Sequence, residues 1–210
     1  MLPATIPLFP LPNVVLFPNV FLPLHIFEPR YRDMVSDALA GDRLIGMVLL
    51  QPGWEQEYEK QPPVYPVGCS GLITHVERLA DGRFNIVLRG VERFRILEED
   101  HERRYRRAIV EPLIERRLSD DDRDCLRNQR AKLESLLSPA LASGETEQRT
   151  TAMSDEDLVN ALAQYLSLDP LEKQALLEQH GLRNRAESLV ELIEMKILIA
   201  KTPGVSSIAH

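Results

Sequence analysis

The chain has 210 residues, of which 44% are hydrophobic and 27% are charged, a balance typical of a soluble globular protein that can bury a core. Its net charge of −7 opposes non-specific binding to nucleic acid, which needs a basic surface, and most of the acidic excess lies in residues 118–210. Two distant cysteines indicate free thiols in a reducing compartment. A signal peptide begins with a cationic stretch, whereas the first basic residue of this sequence is Arg30. We therefore expect a cytoplasmic protein.

The segment from Ile6 to Tyr31 is almost uncharged, rich in large apolar side chains and interrupted by prolines. Because proline breaks helical hydrogen bonding, the segment does not predict a transmembrane helix. It predicts short strands at sheet edges or corners. These strands are expected over residues 5–9, 14–17 and 20–26. Most of the segment is therefore expected to form core.

One helix is predicted directly after this segment, since Pro29 suits the first helical position and Gly41 ends the apolar spacing. Further strands are predicted over residues 43–50, 67–79, 84–97 and 105–113. The Asp-Gly pair at 81–82 predicts a hairpin, and Gly90 predicts a bulge or a corner. Residues 1–117 thus predict a small, mostly antiparallel barrel with one helix.

In the second half of the chain the apolar residues recur at the helical period. Ser119 and Ser154 begin acidic helix caps, and Gly181 separates the last two helices. A loop is expected over residues 142–151. The predicted fold class is α+β, with a β-rich barrel subdomain over residues 1–117 and an α-helical bundle subdomain over 118–210.

No catalytic constellation is evident in the sequence. A phosphate-binding loop of the form G-x-x-x-x-G-K-[ST] is absent, and the five histidines are scattered without an H-E-x-x-H motif. Cys69 and His75 could share one strand face, but a zinc site needs at least three protein ligands, so a structural role is favoured for both. We expect no catalytic residue, no metal and no cofactor.

One basic stretch encloses an aromatic residue, and it consists of Arg103, Arg104, Tyr105, Arg106 and Arg107. Such a pattern could bind RNA phosphates while the tyrosine stacks on a base. Alternatively, the arginines pair with the acidic residues within 98–102 at a strand end, or with the acidic helical half of the chain. The negative net charge favours this second interpretation.

Several motifs follow one another along the chain. They are FPLP at 9–12, VVLFP at 14–18, LPLHIFEPRY at 22–31, VGC at 67–69, GVERFRI at 90–96 and LEKQALLE at 171–178. In this order they resemble the amino-terminal substrate-binding domain of the Lon protease family. The resemblance implies a PUA-like pseudo-barrel followed by a helical bundle, a unit that helps full-length Lon proteases recognise substrates and assemble their ring.

The sequence contains no counterpart of the P-loop ATPase or the Ser-Lys peptidase of those proteases. The resemblance therefore implies a bacterial-type stand-alone version, distantly similar to the Lon-like domain of cereblon, and no enzyme activity is expected.

The leading hypothesis is a non-catalytic module that binds a protein partner or unfolded polypeptide segments, with a role as an adaptor. The residues expected to contact a partner are Trp54, Tyr58, His25, Phe27 and Arg30. The alternative is an RNA-binding PUA-like module that uses the basic stretch at 103–107, and a third is a small-ligand or enzyme site in the barrel mouth. Neither nucleic acid nor membrane is the expected partner, and the oligomeric state is not predicted.

Overall fold

A computed structural model describes residues 2–57, 62–100, 102–137 and 153–201 of the chain. The described residues form two compact units. The first unit contains those up to Ile114 together with Asn160–Glu178, and the second contains those of Glu115–Val159 and those from Gln179 onward. The predicted α+β fold class is confirmed. The domain division between residues 117 and 118 stays a prediction, and helical residues beyond it belong to the first unit.

Six strands form the sheet of the first unit. They are β1 (Thr5–Leu11), β2 (Phe21–Ile26), β3 (Leu44–Leu49), β4 (Val67–Arg78), β5 (Phe84–Asp100) and β6 (Arg107–Pro112). Their order is β2-β5-β4-β3-β1-β6, and an additional pairing of β5 with β6 closes all strands except β2 into a ring. Among these pairs only β1 and β3 run parallel, so the sheet is a mostly antiparallel barrel, as the sequence predicts.

Strand β5 can take part in both the ring and the β2 pair because it bends at a bulge. Its register with β4 shifts where Ser70 lies opposite Glu92 and Gly71 lies opposite Gly90, which leaves Val91 as the extra residue. A Cβ atom at Gly90 would lie 2.0 Å from the carbonyl oxygen of Phe17. Glycine therefore allows the chain that precedes β2 to cross β5 in direct contact, and the predicted bulge at this residue is confirmed.

The strand predicted over residues 14–17 is wrong, although three of its side chains are core. Val15, Leu16 and Phe17 are at most 3% exposed, but the backbone of this segment is irregular. The Phe17 N–H donates to Oε1 of Gln164 at 3.2 Å instead of to a neighbouring strand. Pro18 follows and has no N–H to extend a ladder. The apolar pattern therefore predicted burial correctly and backbone conformation incorrectly.

Five α-helices are present in the described ranges. They are α1 (Pro29–Ala40), α2 (Asp120–Leu137), α3 (Asp155–Tyr165), α4 (Pro170–Glu178) and α5 (Gly181–Lys201). Ser119 and Ser154 cap α2 and α3, because each hydroxyl accepts the N–H of the aspartate three residues later at 3.1 Å. Gly181, with φ of 87°, is the first residue of α5 and follows the end of α4 at Glu178, so it marks the break between the last two helices as expected. The loop predicted over 142–151 lies outside the described residues.

Two buried polar side chains attach α4 to the sheet within the first unit. Arg93 of β5 donates from Nη1 to the carbonyl oxygen of Leu177 at 2.7 Å. Gln174 of α4 donates from Nε2 to the carbonyl oxygen of Val67 at 2.9 Å. These bonds satisfy backbone carbonyls at a helix end and a strand end, and they help to hold residues 160–178 in the first unit.

Across the described segments, none of the helices combines the length and the apolar character that a bilayer crossing requires.

Candidate functional site

The outer face of β2 presents aromatic side chains to solvent. Phe21 is 51% exposed, and Phe27, just after the strand, is 60% exposed. Pro23 and His25 lie between them and are also exposed, because side chains of a strand alternate between its two faces. The His25 ring stacks on Phe27 with ring centroids 6.2 Å apart. We call these four residues the β2 surface; it contains two of the predicted partner contacts, His25 and Phe27.

Hydrogen bonds across the outer face of the sheet hold the His25 ring. Its Nδ1 lies 2.7 Å from Oδ1 of Asn85, whose Nδ2 donates to Oε2 of Glu77 at 2.7 Å. Its Nε2 lies 3.3 Å from Nη1 of Arg83. Because the amide oxygen only accepts and the guanidinium only donates, both contacts fit the neutral imidazole with its proton on Nδ1. This arrangement orients the ring against which Phe27 stacks.

Arg30, the third predicted partner contact, lies in the first turn of α1. Its Nε donates to Oε2 of Glu28 at 3.0 Å, and its guanidinium carbon lies 4.6 Å from the ring centroid of Tyr31. It lines a small cavity that also includes three residues of the basic stretch: Arg104, Tyr105 and Arg106. The structure thus groups Arg30 with the residues of the RNA alternative.

The two remaining predicted partner contacts lie between β3 and β4. Trp54 begins a single 3-10 turn, Trp54–Glu57, and is half-buried. Tyr58 lies outside the described residues. Both stay predicted contacts, and they belong to a different segment of the chain from the β2 surface.

The last two arginines of the basic stretch pair with acidic residues of β5. Arg106 is 8% exposed and donates to both carboxylate oxygens of Glu99, at 2.8 and 2.5 Å. Its Nη1 also donates to the carbonyl oxygen of Pro62 at 2.6 Å. Arg107 lies 3.3 Å from Asp100. These are the partners that the second interpretation of the stretch names.

The first part of the stretch contacts α1. Arg103 lies 3.6 Å from Asp37, and the Tyr105 hydroxyl donates to the same carboxylate at 2.7 Å. The Tyr105 ring is 7% exposed, so it does not offer a face on which a base could stack. Arg104 is exposed and, within the described part of the chain, makes no ion pair. These contacts disfavour the RNA alternative, which stays a prediction.

The environment of Tyr105 predicts that its phenol loses its proton at a higher pH than an ordinary tyrosine does. Burial, followed by the hydrogen bond to Asp37, raises the pKa of Tyr105 from 10.0 to about 12. Folding favours the neutral phenol, so this interaction stabilises the protein fully below pH ~10 and is lost as the pH rises to about 12. In a spectrophotometric titration we expect a tyrosinate step near pH 12 that is absent from Tyr105→Phe. A late step that survives the substitution would contradict this assignment.

The cysteine and histidine that the sequence pairs on one strand do not face the same side. Cys69 is buried, whereas His75 is exposed. A register shift between Ile73 and His75 interrupts the alternation of β4, which is why even spacing fails as a guide here. In the ranges that the structure covers, no group of three or more His, Cys, Asp or Glu side chains is placed to hold a metal ion.

Comparison with known proteins decides the family. The sequence profile of the ATP-dependent protease La (LON) substrate-binding domain matches residues 5–195. The chain belongs to this family. The resemblance inferred from the ordered motifs is therefore confirmed.

Among the relatives with curated descriptions are Lon proteases several times longer than this chain. The chain is 28% identical over 201 residues to the Lon protease of Flavobacterium johnsoniae, an alignment that covers 93% of the chain and 24% of that protein. It is 30% identical over 181 residues to Lon protease 2 of Syntrophobacter fumaroxidans, covering 84% of the chain and 22% of that protein. The chain thus spans about a quarter of the length of the curated relatives it matches.

Solved structures of Lon amino-terminal domains share the fold. The N-terminal domain of the Mycobacterium avium complex Lon protease superposes with a TM-score of 0.71 at 19% identity, covering 90% of this chain and 98% of that one. A Lon N-terminal domain protein from Xanthomonas campestris superposes with a TM-score of 0.59 at 24% identity, covering 95% and 99%. The α+β fold of this chain is that of Lon N-terminal domains.

Proposed function

We propose that this chain is a non-catalytic module that recognises unfolded polypeptide segments, and that the β2 surface is its contact area. The observation that carries the proposal is the family match over residues 5–195 to a domain described as substrate-binding. Recognition of a segment for another protein to act on would be the role of an adaptor, and it requires a binding surface and no reactive group.

The β2 surface has the chemistry that such recognition needs. Phe21 and Phe27 expose more than half of their area, and covering such an area contributes about 1 kcal/mol for each ring. The polar side chains beside them, Arg83, Asn85 and Glu77, are engaged with His25 or with one another. Two apolar anchors beside a hydrogen-bonded polar border support weak binding of many apolar segments rather than tight binding of one sequence.

A serine substitution at Phe27 tests the surface. We expect Phe27→Ser to weaken binding of fluorescein-labelled, reduced and carboxymethylated α-lactalbumin about fivefold, because roughly 1 kcal/mol of apolar contact is lost. The double variant with Phe21→Ser should lose more than tenfold. Binding is measured by fluorescence anisotropy.

The matched control for this test is Leu97→Ser. Leu97 is 60% exposed, as Phe27 is, but it lies in the part of β5 that pairs with β6, away from the part that pairs with β2. The affinity of this variant should stay within twofold of the unsubstituted protein. Equal losses in Phe27→Ser and Leu97→Ser would remove the β2 surface from the proposal, and no binding by the unsubstituted protein would overturn the function itself.

Salt-sensitive binding of a mixed RNA pool, lost in Arg104→Ala, would support the RNA alternative instead.

A further inference from the structure

The strand that carries the β2 surface also has an uncovered edge. β2 stands at the end of the strand order and, in the described part of the chain, pairs with β5 alone. Leu22 and Leu24 point to the core side, yet both are only half-buried. Their neighbours on β5, Leu88 and Ile86, are at most 1% exposed. Among the described residues, no further strand therefore pairs with the side of β2 away from β5.

The backbone groups at this edge follow from the hydrogen bonding to β5. In an antiparallel pair, alternate residues direct their N–H and C=O toward the partner strand, and the residues between direct theirs away. Gly90 donates its N–H to the carbonyl oxygen of Val20 at 2.9 Å, so Val20 faces β5. By alternation three strand residues also face β5: Leu22, Leu24 and Ile26. The residues that face away are Phe21, Pro23 and His25.

Two observations agree with this assignment. Pro23 has no N–H and is therefore suited to an outward position, since proline occurs in strands at their free edges. The Tyr165 hydroxyl donates to the carbonyl oxygen of Phe21 at 3.1 Å, which shows that this carbonyl is accessible from outside the β2–β5 pair. Four outward groups remain: the N–H groups of Phe21 and His25 and the carbonyls of Pro23 and His25. No other described residue hydrogen-bonds to these four.

From this edge we infer that β2 takes up an extended polypeptide segment as an additional strand. The four outward groups supply two donors and two acceptors, which is the complement that a polypeptide backbone presents. Side chains of the added strand would lie beside Phe21 and His25 on one face and cover Leu22 and Leu24 on the other. Because backbone pairing does not depend on sequence, the bound segment would be an unfolded polypeptide of no fixed sequence. Its side chains that cover Leu22 and Leu24 would be apolar, which places apolar residues at alternate positions of the segment. This inference rests on the proposed function and specifies its binding mode.

Substitutions at His25 separate backbone pairing from side-chain contact. His25→Pro removes the outward N–H but leaves the bonds between β2 and β5 intact, as Pro23 already does. His25→Thr removes the same ring and keeps the N–H. With labelled, carboxymethylated α-lactalbumin as the probe, we expect the affinity of the proline variant to be at least fivefold below that of the threonine variant. Thermal unfolding of both variants verifies that they are folded.

Amide exchange of the unsubstituted protein, measured by NMR, gives a readout that needs no variant. The amides of Phe21 and His25 should exchange fast in the free protein and at least tenfold more slowly with saturating probe. Those of Leu22 and Leu24 should be protected in both states.

Equal affinities of the two His25 variants, with His25 exchange unchanged by the probe, would overturn strand addition and leave the proposed function standing. Protection of His25 that rises with protein concentration in the absence of probe would assign the edge to a second copy of the chain and also overturn the inference. Failure of the unsubstituted protein to bind the probe would overturn both proposals.

Discussion

Replacing Gly90 by alanine is expected to destabilise the first unit by about 3 kcal/mol or more, the upper end of the cost of overpacking. The added Cβ would lie 2.0 Å from the carbonyl oxygen of Phe17 and 3.2 Å from the Cα of Pro18, both of which are backbone atoms. The crossing chain cannot easily move away, because Asn19 donates to the Gly90 carbonyl and Gly90 donates to the Val20 carbonyl, both at 2.9 Å. Urea unfolding measures the free-energy difference.

Gly41→Ala is the matched control for this glycine. It follows α1 in the same unit, its φ is −118°, and the nearest atom to its added Cβ would be 3.7 Å away, an ordinary contact. We expect a change of about 0.5 kcal/mol at most, as for surface substitutions in general. Similar urea midpoints for Gly90→Ala and Gly41→Ala would show that β5 and the segment before β2 do not approach each other as described.

Arg185→Ala is expected to destabilise the second unit by about 3 kcal/mol, comparable to other losses of a large buried side chain. The Arg185 side chain is 0% exposed, and its Nη2 donates to Oε1 of Glu115 at 2.7 Å. The substitution removes both the packing of the aliphatic stem and a charge-assisted hydrogen bond. It also leaves the Glu115 carboxylate without this cation, although that side chain is 29% exposed and can be hydrated in part.

Arg183→Ala provides the comparison on the same helix. Arg183 is 44% exposed and forms ion pairs with Glu187 at 3.1 Å and Asp122 at 3.3 Å. Exposed pairs contribute little, so a loss of less than about 1 kcal/mol is expected in spite of the two partners. If thermal and urea unfolding rank Arg183→Ala as equal to or worse than Arg185→Ala, burial is not what makes Arg185 important.

The elements that the sequence predicted well are those specified by neighbouring residues. Pro29 and Gly41 delimit α1, and the serine caps begin α2 and α3, because a cap or a proline acts within one helical turn. Gly90 indicated the bulge for a similar reason, since a glycine within a strand pattern is typical of a bulge or of a close backbone approach. The irregular path of residues 14–17 was missed because apolar composition reports burial, whereas strand pairing depends on a distant partner.

The candidate site was predictable only in part. His25 and Phe27 were named from the sequence, and the structure brings their rings together. Phe21 was not named, although its side chain is the second exposed aromatic ring of the β2 surface. No local signal distinguishes it from Phe17, which is 0% exposed, whereas Phe21 is 51% exposed. The difference arises because Phe17 belongs to the buried segment that crosses β5 at Gly90, whereas Phe21 lies on the outer face of β2.

The sequence by itself determined the family, the α+β class, most of the strands and helices, and the burial of most apolar side chains between Ile6 and Val20. Only the tertiary structure decided that β2 pairs with a single strand among the described residues, that Arg30 lines a cavity with the basic stretch, and that Arg93 holds α4 against the sheet. The physical reason is the range of the interactions. Propensity, capping and apolar periodicity act over a few residues, whereas an edge, a cavity or a buried polar contact exists only once distant segments have paired.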